Sequence, residues 1–197
     1  MGQELEFKYK LENQEQYDAL RASLEERFPG GWEKVNMETE YYDTQDLFLA
    51  SRKWTLRIRY ENSTGILTLK TPGTGRTRGE WEVPEGTLPG GLMSLVRRGA
   101  PEELMEVYHM PLQSRCGARF HRLRCMAEVP GAQMELALDR GVLMGGGKEL
   151  PFWELEAELK AGDGEALARW CGQLAREMGL REELRSKYIR ASRLAEA

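Results

Sequence analysis

The chain has 197 residues, of which 41% are hydrophobic and 30% are charged. This composition predicts one soluble domain, spanning residues 1–197, with a substantial core. The formal net charge of −4 argues against general nucleic-acid binding, since proteins that contact many phosphates usually carry a basic balance.

The cysteines and the N-terminus bear on the cellular compartment. Cys116, Cys125 and Cys171 lack the paired spacing of a zinc site or a disulfide framework. We therefore expect reduced thiols in the core and a cytoplasmic protein. The N-terminus runs directly into charged residues, and no stretch contains about 18 consecutive apolar residues, so neither a signal peptide nor a membrane span is predicted.

The first half of the chain is predicted to hold one helix and five strands. The first strand is expected over residues 3–11. Asn13 can cap a helix that ends before Pro29, because apolar residues recur in this segment at helical spacing. The next four strands are expected at 32–43, 54–62, 65–71 and 78–84.

The second half begins with an excursion outside the predicted sheet. Residues 88–113 are punctuated by Pro and Gly, with short helical pieces around 92–98 and 102–108. Asp163 can cap a helix that Gly179 closes, and a last helix is expected over about 182–195. Three further strands are expected at 117–128, 132–139 and 151–160.

Charged residues occupy alternate positions on most of these strands. Arg57 and Arg59 alternate with apolar residues, as do Glu154, Glu156 and Glu158. Because a strand directs alternate side chains to opposite faces, each strand has one apolar face and one charged face. A single such strand is typical of a sheet with one wet face. The recurrence on several strands, with arginines on some and carboxylates on others, favours a shared charged interior.

This pattern predicts an α+β fold in which a closed eight-stranded antiparallel β-barrel has a charged interior and helices packed outside. Buried charges of both signs are costly unless they are compensated, so the ligand must carry both signs as well. A polyphosphate chelated to Mg²⁺ or Mn²⁺ meets this requirement. Its oxygens accept hydrogen bonds from arginine and lysine, and the carboxylates hold the metal.

Several ordered motifs carry a family resemblance. Glu4, Glu6 and Lys8 form a Glu-x-Glu-x-Lys strand near the N-terminus. Further matching segments are 41–44, 56–59, 67–70, 78–80, 137–141, 154–158 and 186–187. On these residues the chain resembles the CYTH domains of the triphosphate tunnel metalloenzymes, and within them the bacterial inorganic triphosphatases.

The resemblance implies an eight-stranded antiparallel tunnel and a set of site residues. The implied catalytic residues are Glu4, Glu6 and Lys8. The implied metal ligands are Glu4, Glu6, Glu154, Glu156 and Glu158. The implied triphosphate-binding residues are Lys8, Arg57, Arg59, Lys70, Arg122, Arg124 and Lys187. Membership of the site stays open for Lys10, Asp43, Arg76 and Arg78.

The leading functional hypothesis is metal-dependent hydrolysis of a linear triphosphate to diphosphate and orthophosphate. Inorganic tripolyphosphate is the expected substrate, because the sequence shows no inward aromatic cluster and Trp54 falls on the outward face of its strand. One alternative is an adenylyl cyclase that makes cyclic AMP from ATP. The other is a non-catalytic module that binds polyphosphate or nucleotides. No nucleic-acid or membrane partner is expected.

Overall fold

The computed structural model describes residues 2–73, 77–84 and 88–196, apart from the side chains of residues 2–4 and 77. The strands are β1 (Gly2–Leu11), β2 (Glu33–Asp43), β3 (Thr55–Glu61), β4 (Thr64–Pro72), β5 (Thr77–Val83), β6 (Gln113–Val129), β7 (Ala132–Gly145), β8 (Lys148–Gly162) and β9 (Arg181–Glu182). The helices are α1 (Gln14–Arg27), α2 (Phe48–Ser51), α3 (Gly90–Arg97), α4 (Gly164–Met178) and α5 (Lys187–Glu196), with a 3₁₀ helix over Glu102–Val107.

The strands form one antiparallel sheet in the order β5-β4-β3-β2-β6-β7-β8-β1-β9. β1 also pairs with β5, but only through Gly2–Leu5, whereas its pairing with β8 begins at Glu6. Among the described pairs, no residue of β1 has partners in both strands at once, so β5 and β8 never flank the same stretch of β1. The prediction of a closed eight-stranded barrel is therefore wrong: the sheet has nine strands and is not closed.

The ninth strand explains why the last helix begins later than predicted. Arg181 and Glu182 pair with Lys10 and Tyr9 along β1, beyond the residues that contact β5. The backbone N–H of Glu183 then donates to the carbonyl oxygen of Lys8 at 2.9 Å. Because these backbone groups bond to β1, α5 begins only at Lys187.

Two helices begin where their capping residues predict. The side-chain oxygen of Asn13 accepts from the backbone N–H of Gln16 at 3.0 Å, which satisfies a free donor at the start of α1. The carboxylate of Asp163 accepts from the first turn of α4 in the same way. Gly179 closes α4 with a φ of 63°, a left-handed conformation that favours glycine. These predictions are confirmed.

The one-turn helix α2 is not predicted from the sequence. The carboxylate of Asp43 accepts from the backbone N–H groups of Leu49 and Ala50, each at 2.9 Å. Asp43 is buried at the end of β2, so it orders the turn that connects β2 to β3. Its role in the fold is therefore to hold this connection.

The apolar faces of the strands are covered by helices in three clusters. α1 and α4 cover the first, α3 and the 3₁₀ helix cover the second, and α5 covers the third. Trp54 packs against the second cluster, as its outward position on the strand predicts. Cys116, Cys125 and Cys171 are buried free thiols, also as predicted. None of the described helices is long and apolar enough to cross a membrane.

α5 lies in direct contact with the backbone of β7. A Cβ atom at Gly145 would stand 2.2 Å from the carbonyl oxygen of Ala191. Glycine therefore permits a separation between helix and strand that any other residue would increase. This close contact places the first residues of α5 at one end of the charged face of the sheet.

Candidate active site

A cavity of about 340 Å³, called the central cavity below, lies against the charged face of the sheet. Strands β1 to β8 and the start of α5 all contribute to its wall. Its cationic side chains are Lys8, Arg57, Arg59, Lys70, Arg78, Arg122, Arg124, Lys160 and Lys187. Its carboxylates are Glu6, Glu61, Glu80, Glu82, Glu135, Glu156 and Glu158. The described wall thus presents nine positive and seven negative groups to one small volume.

Strand alternation places these side chains. Arg57 and Arg59 on β3 line the cavity, while Leu56 and Ile58, which alternate with them, are buried in the second apolar cluster. Side chains two residues apart on a strand share a face, so one strand contributes both to the cavity and to the core. The other strands repeat this arrangement.

All seven residues predicted to bind triphosphate line the central cavity. Of the predicted metal ligands, Glu6, Glu156 and Glu158 line it as well. Glu154 is fully buried and does not line it. The side chain of Glu4 lies outside the described residues. The roles of these residues stay predictions, but the structure brings ten of them around one volume.

Three carboxylates meet across neighbouring strands in what we call the acidic row. Glu6 on β1 is the register partner of Glu158 on β8, and Glu158 is the partner of Glu135 on β7. Like charges directly opposite each other destabilise a sheet. The Nζ atom of Lys8 lies 3.5 Å from a carboxylate oxygen of Glu6, and the Nζ atom of Lys160 lies 2.7 Å from one of Glu158, so each of these two carboxylates has a cation beside it. Such oxygens suit hard divalent ions.

A second group of carboxylates forms a buried ion-pair cluster, made of Asp139, Glu154, Glu156, Lys187 and Arg122. Oxygens of the three acids lie within 4.8 Å of one another. The Nζ atom of Lys187 lies 2.8 Å from both Asp139 and Glu156, and it also contacts Glu154. Arg122 donates two hydrogen bonds to Asp139, at 2.8 and 2.7 Å, and contacts Glu156.

Electrostatics favour the charged forms of Lys187 and Glu156 in this cluster. Burial alone would lower the pKa of Lys187, but the surrounding carboxylates, Asp139 foremost, raise it above its usual value. For Glu156, burial alone would raise the pKa, but the Lys187 and Arg122 cations hold it well below its usual range. The ammonium group of Lys187 thus lies among the three acids, in the position that a metal ion would require.

Glu154 lies deeper than the other two acids. It contacts Lys187 and Arg190, both on α5, and its burial raises its pKa above the usual value. Arg190 is also buried and does not line the central cavity. In this structure Glu154 therefore connects α5 to the sheet.

The opposite side of the cavity is built by β3, β4 and β5. Glu80 lies 3.8 Å from Arg57 and 3.3 Å from Lys70. Arg59 lies 3.0 Å from Glu61 and 3.3 Å from Glu82. Each of these cations therefore already has a carboxylate nearby, which an incoming anion must share or displace.

Arg59 retains an unused donor. Its Nε atom is buried and has no hydrogen-bond partner among the described residues. Burial, and then the neighbouring Arg57 cation, lower the pKa of Arg59, so the surroundings favour an added negative charge. Although burial acts in the opposite direction, Arg59 lowers the pKa of Glu82. A buried donor without a partner is unusual and is consistent with a ligand position.

Several cavity residues were absent from the predicted site. Glu80, Glu82 and Glu135 follow the same strand alternation as the predicted residues, so their positions in the sequence indicate that they face the cavity. Arg190 lies behind the cavity wall and was not predicted either. It is on a helix, so strand alternation does not apply to it, and its contact with Glu154 arises only in the tertiary fold.

The four open residues differ in position. Arg78 lines the central cavity. Lys10 is exposed and lies 3.9 Å from Glu12, away from the described wall. Asp43 holds the turn at α2. Arg76 lies outside the described residues.

Aromatic rings also line one end of the cavity, contrary to the expectation that no aromatic cluster faces inward. These rings belong to Tyr41, Phe120 and Tyr188. The centres of Tyr41 and Tyr188 are 5.3 Å apart. The Nζ atom of Lys187 lies 4.9 Å from the centre of Phe120, so a cation already occupies one face of this ring.

Sequence comparison places the chain among known proteins. The inorganic triphosphatase of Haemophilus influenzae is 36% identical over 131 residues, which cover 62% of this chain and 36% of that protein. The chain therefore matches only about a third of that relative's length.

Solved structures show the same fold. A protein from Hippeastrum, described as a candidate adenylyl cyclase with a dominant triphosphatase activity, superposes with a TM-score of 0.68 at 18% identity, covering 98% of this chain and 96% of its own. A protein from Pyrococcus horikoshii superposes with a TM-score of 0.59 at 22% identity, covering 93% and 94%. The CYTH domain model matches residues 2–188. The chain therefore belongs to the CYTH domain family.

Proposed function

We propose that the protein hydrolyses a linear triphosphate in a metal-dependent reaction, with inorganic tripolyphosphate as the preferred substrate. The observation that carries the proposal is a cavity of about 340 Å³ whose described wall holds nine cations and seven carboxylates. A condensed phosphate with bound metal presents the complementary charges to both sets. The inorganic triphosphatase relative supports the same reaction class.

The cations would bind and orient the phosphate chain. Arg57, Arg59 and Lys70 lie on adjacent strands on one side of the cavity, and Lys8 and Arg122 lie on the other. Arginine matches phosphate oxygens with two parallel donors, while lysine contributes a point charge. The Nε donor of Arg59 is buried and no described residue accepts from it, so it would be free to donate to a phosphate oxygen.

The carboxylates would hold the metal. Glu6, Glu156 and Glu158 face the cavity and offer oxygen ligands of the kind that Mg²⁺ and Mn²⁺ prefer, with Glu4 as a further predicted ligand. The three carboxylates of the acidic row lie opposite one another on neighbouring strands, an arrangement that would let them share a divalent cation. When bound, the metal would neutralise phosphate charge and assist the attack of water.

The chemical step needs little from the protein beyond position and charge. A water oxygen attacks the terminal phosphorus, and the anhydride P–O bond breaks with its electron pair passing to the diphosphate oxygen. Glu6 is the proposed acceptor of the water proton, since it faces the cavity from the acidic row. Lys8, which lies 3.5 Å from Glu6, would hold the phosphate beside that carboxylate.

The alternative reaction is cyclisation of ATP. The three aromatic rings that line the cavity raise this alternative, since a nucleotide base could stack on an exposed ring. Tyr41 and Phe120 are only 3% and 6% exposed, so of the three rings only the half-buried Tyr188 offers surface on which a base could stack. This burial favours tripolyphosphate over a nucleotide. Incubation with ATP separates the reactions, because cyclisation yields cyclic AMP and diphosphate whereas hydrolysis yields orthophosphate.

The direct test is orthophosphate release from tripolyphosphate with Mg²⁺, Mn²⁺ and Co²⁺ at neutral and alkaline pH, beside ATP and thiamine triphosphate. We expect the fastest turnover with tripolyphosphate and none after chelation. If tripolyphosphate binds tightly but is not hydrolysed with any of these metals, the proposed hydrolysis is wrong and the protein is a polyphosphate-binding module.

A further inference from the structure

A second cavity, called the outer pocket below, has a volume of about 190 Å³ and lies between α1 and strands β2, β6 and β7. Its wall includes Arg21 on α1, Lys34 on β2, His121 on β6 and Arg140 on β7. None of its described lining residues is a carboxylate. The wall therefore differs from that of the central cavity, where both signs alternate.

The outer pocket is separated from the central cavity by the sheet. His121 belongs to the outward face of β6, whereas its neighbours Phe120 and Arg122 line the central cavity. Arg122 borders both cavities, but its guanidinium group is held inside by Asp139 and Glu156. The outer pocket thus depends on other cations.

Two of these cations form no ion pair with a described residue. Arg21 donates to Glu25 at 2.9 Å, one helical turn away. By contrast, Lys34 and Arg140 are exposed and make no ion pair with any residue in the described part of the chain. The guanidinium carbon of Arg140 lies 5.6 Å from the ring centre of Tyr17. Arg140 is therefore held over a buried ring while its charge stays available.

Tyr17 supplies a hydrogen-bond donor to the outer pocket. It lines the pocket and is only 4% exposed as a whole residue, and its hydroxyl makes no hydrogen bond to another described residue. The hydroxyl is not among the fully buried polar atoms without a partner, so it lies at the pocket surface, where it can donate to a ligand. Burial raises the pKa of Tyr17 above its usual value, so the hydroxyl keeps its proton and remains a donor.

We propose that the outer pocket is a second anion-binding site, specific for a phosphate group, either as free orthophosphate or as the end of a short condensed-phosphate chain. Arg140 and Lys34 supply the charge, and the Tyr17 hydroxyl donates from the buried side. His121 completes the wall, with its ring fixed by a 2.8 Å contact between Nδ1 and the side-chain oxygen of Asn36. The site is independent of the hydrolytic reaction, because its ligand-binding groups face away from the central cavity.

Calorimetric titration tests this site once the central cavity has been weakened. In an Arg57→Ala/Arg59→Ala background without metal, we titrate orthophosphate, diphosphate and tripolyphosphate. If the outer pocket recognises a single phosphate group, all three anions should still bind to this variant. If it recognises the end of a phosphate chain, only diphosphate and tripolyphosphate should still bind. Adding Arg140→Gln should weaken it by about tenfold or more, the usual effect of losing one charge-assisted hydrogen bond. Tyr17→Phe should weaken it by about threefold.

The matched control is Arg119→Gln. Arg119 is an exposed arginine on the same outward face of β6, but it already pairs with Glu149 at 2.7 Å. Its replacement should leave the residual affinity unchanged, and each variant is first checked for a wild-type unfolding curve. The site is refuted if the background variant binds no phosphate, or if Arg140→Gln and Tyr17→Phe bind as tightly as Arg119→Gln. Because no turnover is measured, failure of the proposed hydrolysis would not affect this result.

Discussion

Glu6 on β1 and Glu158 on β8 are register partners, so two carboxylates lie directly opposite each other on the face that lines the central cavity. Glu135 extends the same row onto β7. Such an arrangement costs stability in the absence of a cation, since opposed like charges in a sheet repel. Because this repulsion lies within a cavity, we infer that the concentrated negative charge serves to bind a cation.

Glu6→Gln should reduce triphosphate turnover by at least about 100-fold, because it removes both a metal ligand and the proposed proton acceptor. Without metal, the free energy of unfolding should change by less than about 1 kcal/mol, since lost repulsion offsets the lost contact with Lys8. Turnover assays and urea unfolding measure the two effects. A variant that is inactive because it is unfolded would instead make Glu6 a structural residue.

Arg57→Ala should weaken tripolyphosphate binding by about 1.5–3 kcal/mol, the scale of a charge-assisted hydrogen bond. The loss should shrink as salt rises, because the interaction is electrostatic. Calorimetry at two salt concentrations measures both effects. Trp54→Phe is the matched control on the outward face of the same chain segment, and it should cost stability while leaving the affinity unchanged. The reverse result would mean that the charged face of β3 is not the binding face.

Lys187→Met should destabilise the protein by about 3–5 kcal/mol, because it leaves two buried carboxylates and the largely buried Glu156 with one cation fewer. Mn²⁺ should restore part of this stability by taking the place of the ammonium group. Thermal unfolding with and without Mn²⁺ measures both. Lys160→Met, which removes a more exposed partner of Glu158, should cost only about 0–1 kcal/mol. Equal stability of the two variants would contradict a central role for Lys187.

Stability should depend on pH through Glu183. Its carboxylate accepts three hydrogen bonds from Arg185, which lower its pKa to about 2. A carboxyl with a lowered pKa stabilises the fold above its unfolded-state pKa of about 4.3, and this stabilisation is lost as the pH falls through about 2. At pH 7, Glu183→Gln should therefore be less stable by about 1 kcal/mol.

The difference between wild type and Glu183→Gln should shrink as the pH falls through about 2 and vanish below it, as measured by urea unfolding at a series of pH values. Glu182→Gln is the control, since this neighbour is exposed. A constant difference between Glu183→Gln and wild type across the series would show that the effect of Glu183 does not come from its charge.

Strand alternation allowed much of the site to be predicted from sequence. The positions of Arg57 and Arg59 opposite Leu56 and Ile58 follow from the period of two alone. The capping residues Asn13 and Asp163 likewise fix the starts of two helices through local hydrogen bonds. Both signals act over a few residues, so a single sequence contains them in full.

The remaining features depend on contacts between distant segments. Whether β1 meets β5 along its whole length depends on the curvature of the sheet, which alternation does not encode. Glu154 has the parity of a cavity residue, yet Lys187 and Arg190 from α5 cover it. Glu182 falls at the start of the predicted last helix, but in the structure it pairs with β1, as does Arg181 before it.

The near balance of nine cations and seven carboxylates has a thermodynamic consequence. A bare metal ion meets the repulsion of the cations, and a bare phosphate chain meets that of the carboxylates. Each ligand, once bound, cancels the charge that opposes the other, so their binding free energies should be positively coupled and the coupling must be reciprocal. The protein would then respond to the concentration of the metal–phosphate complex more steeply than to that of either component.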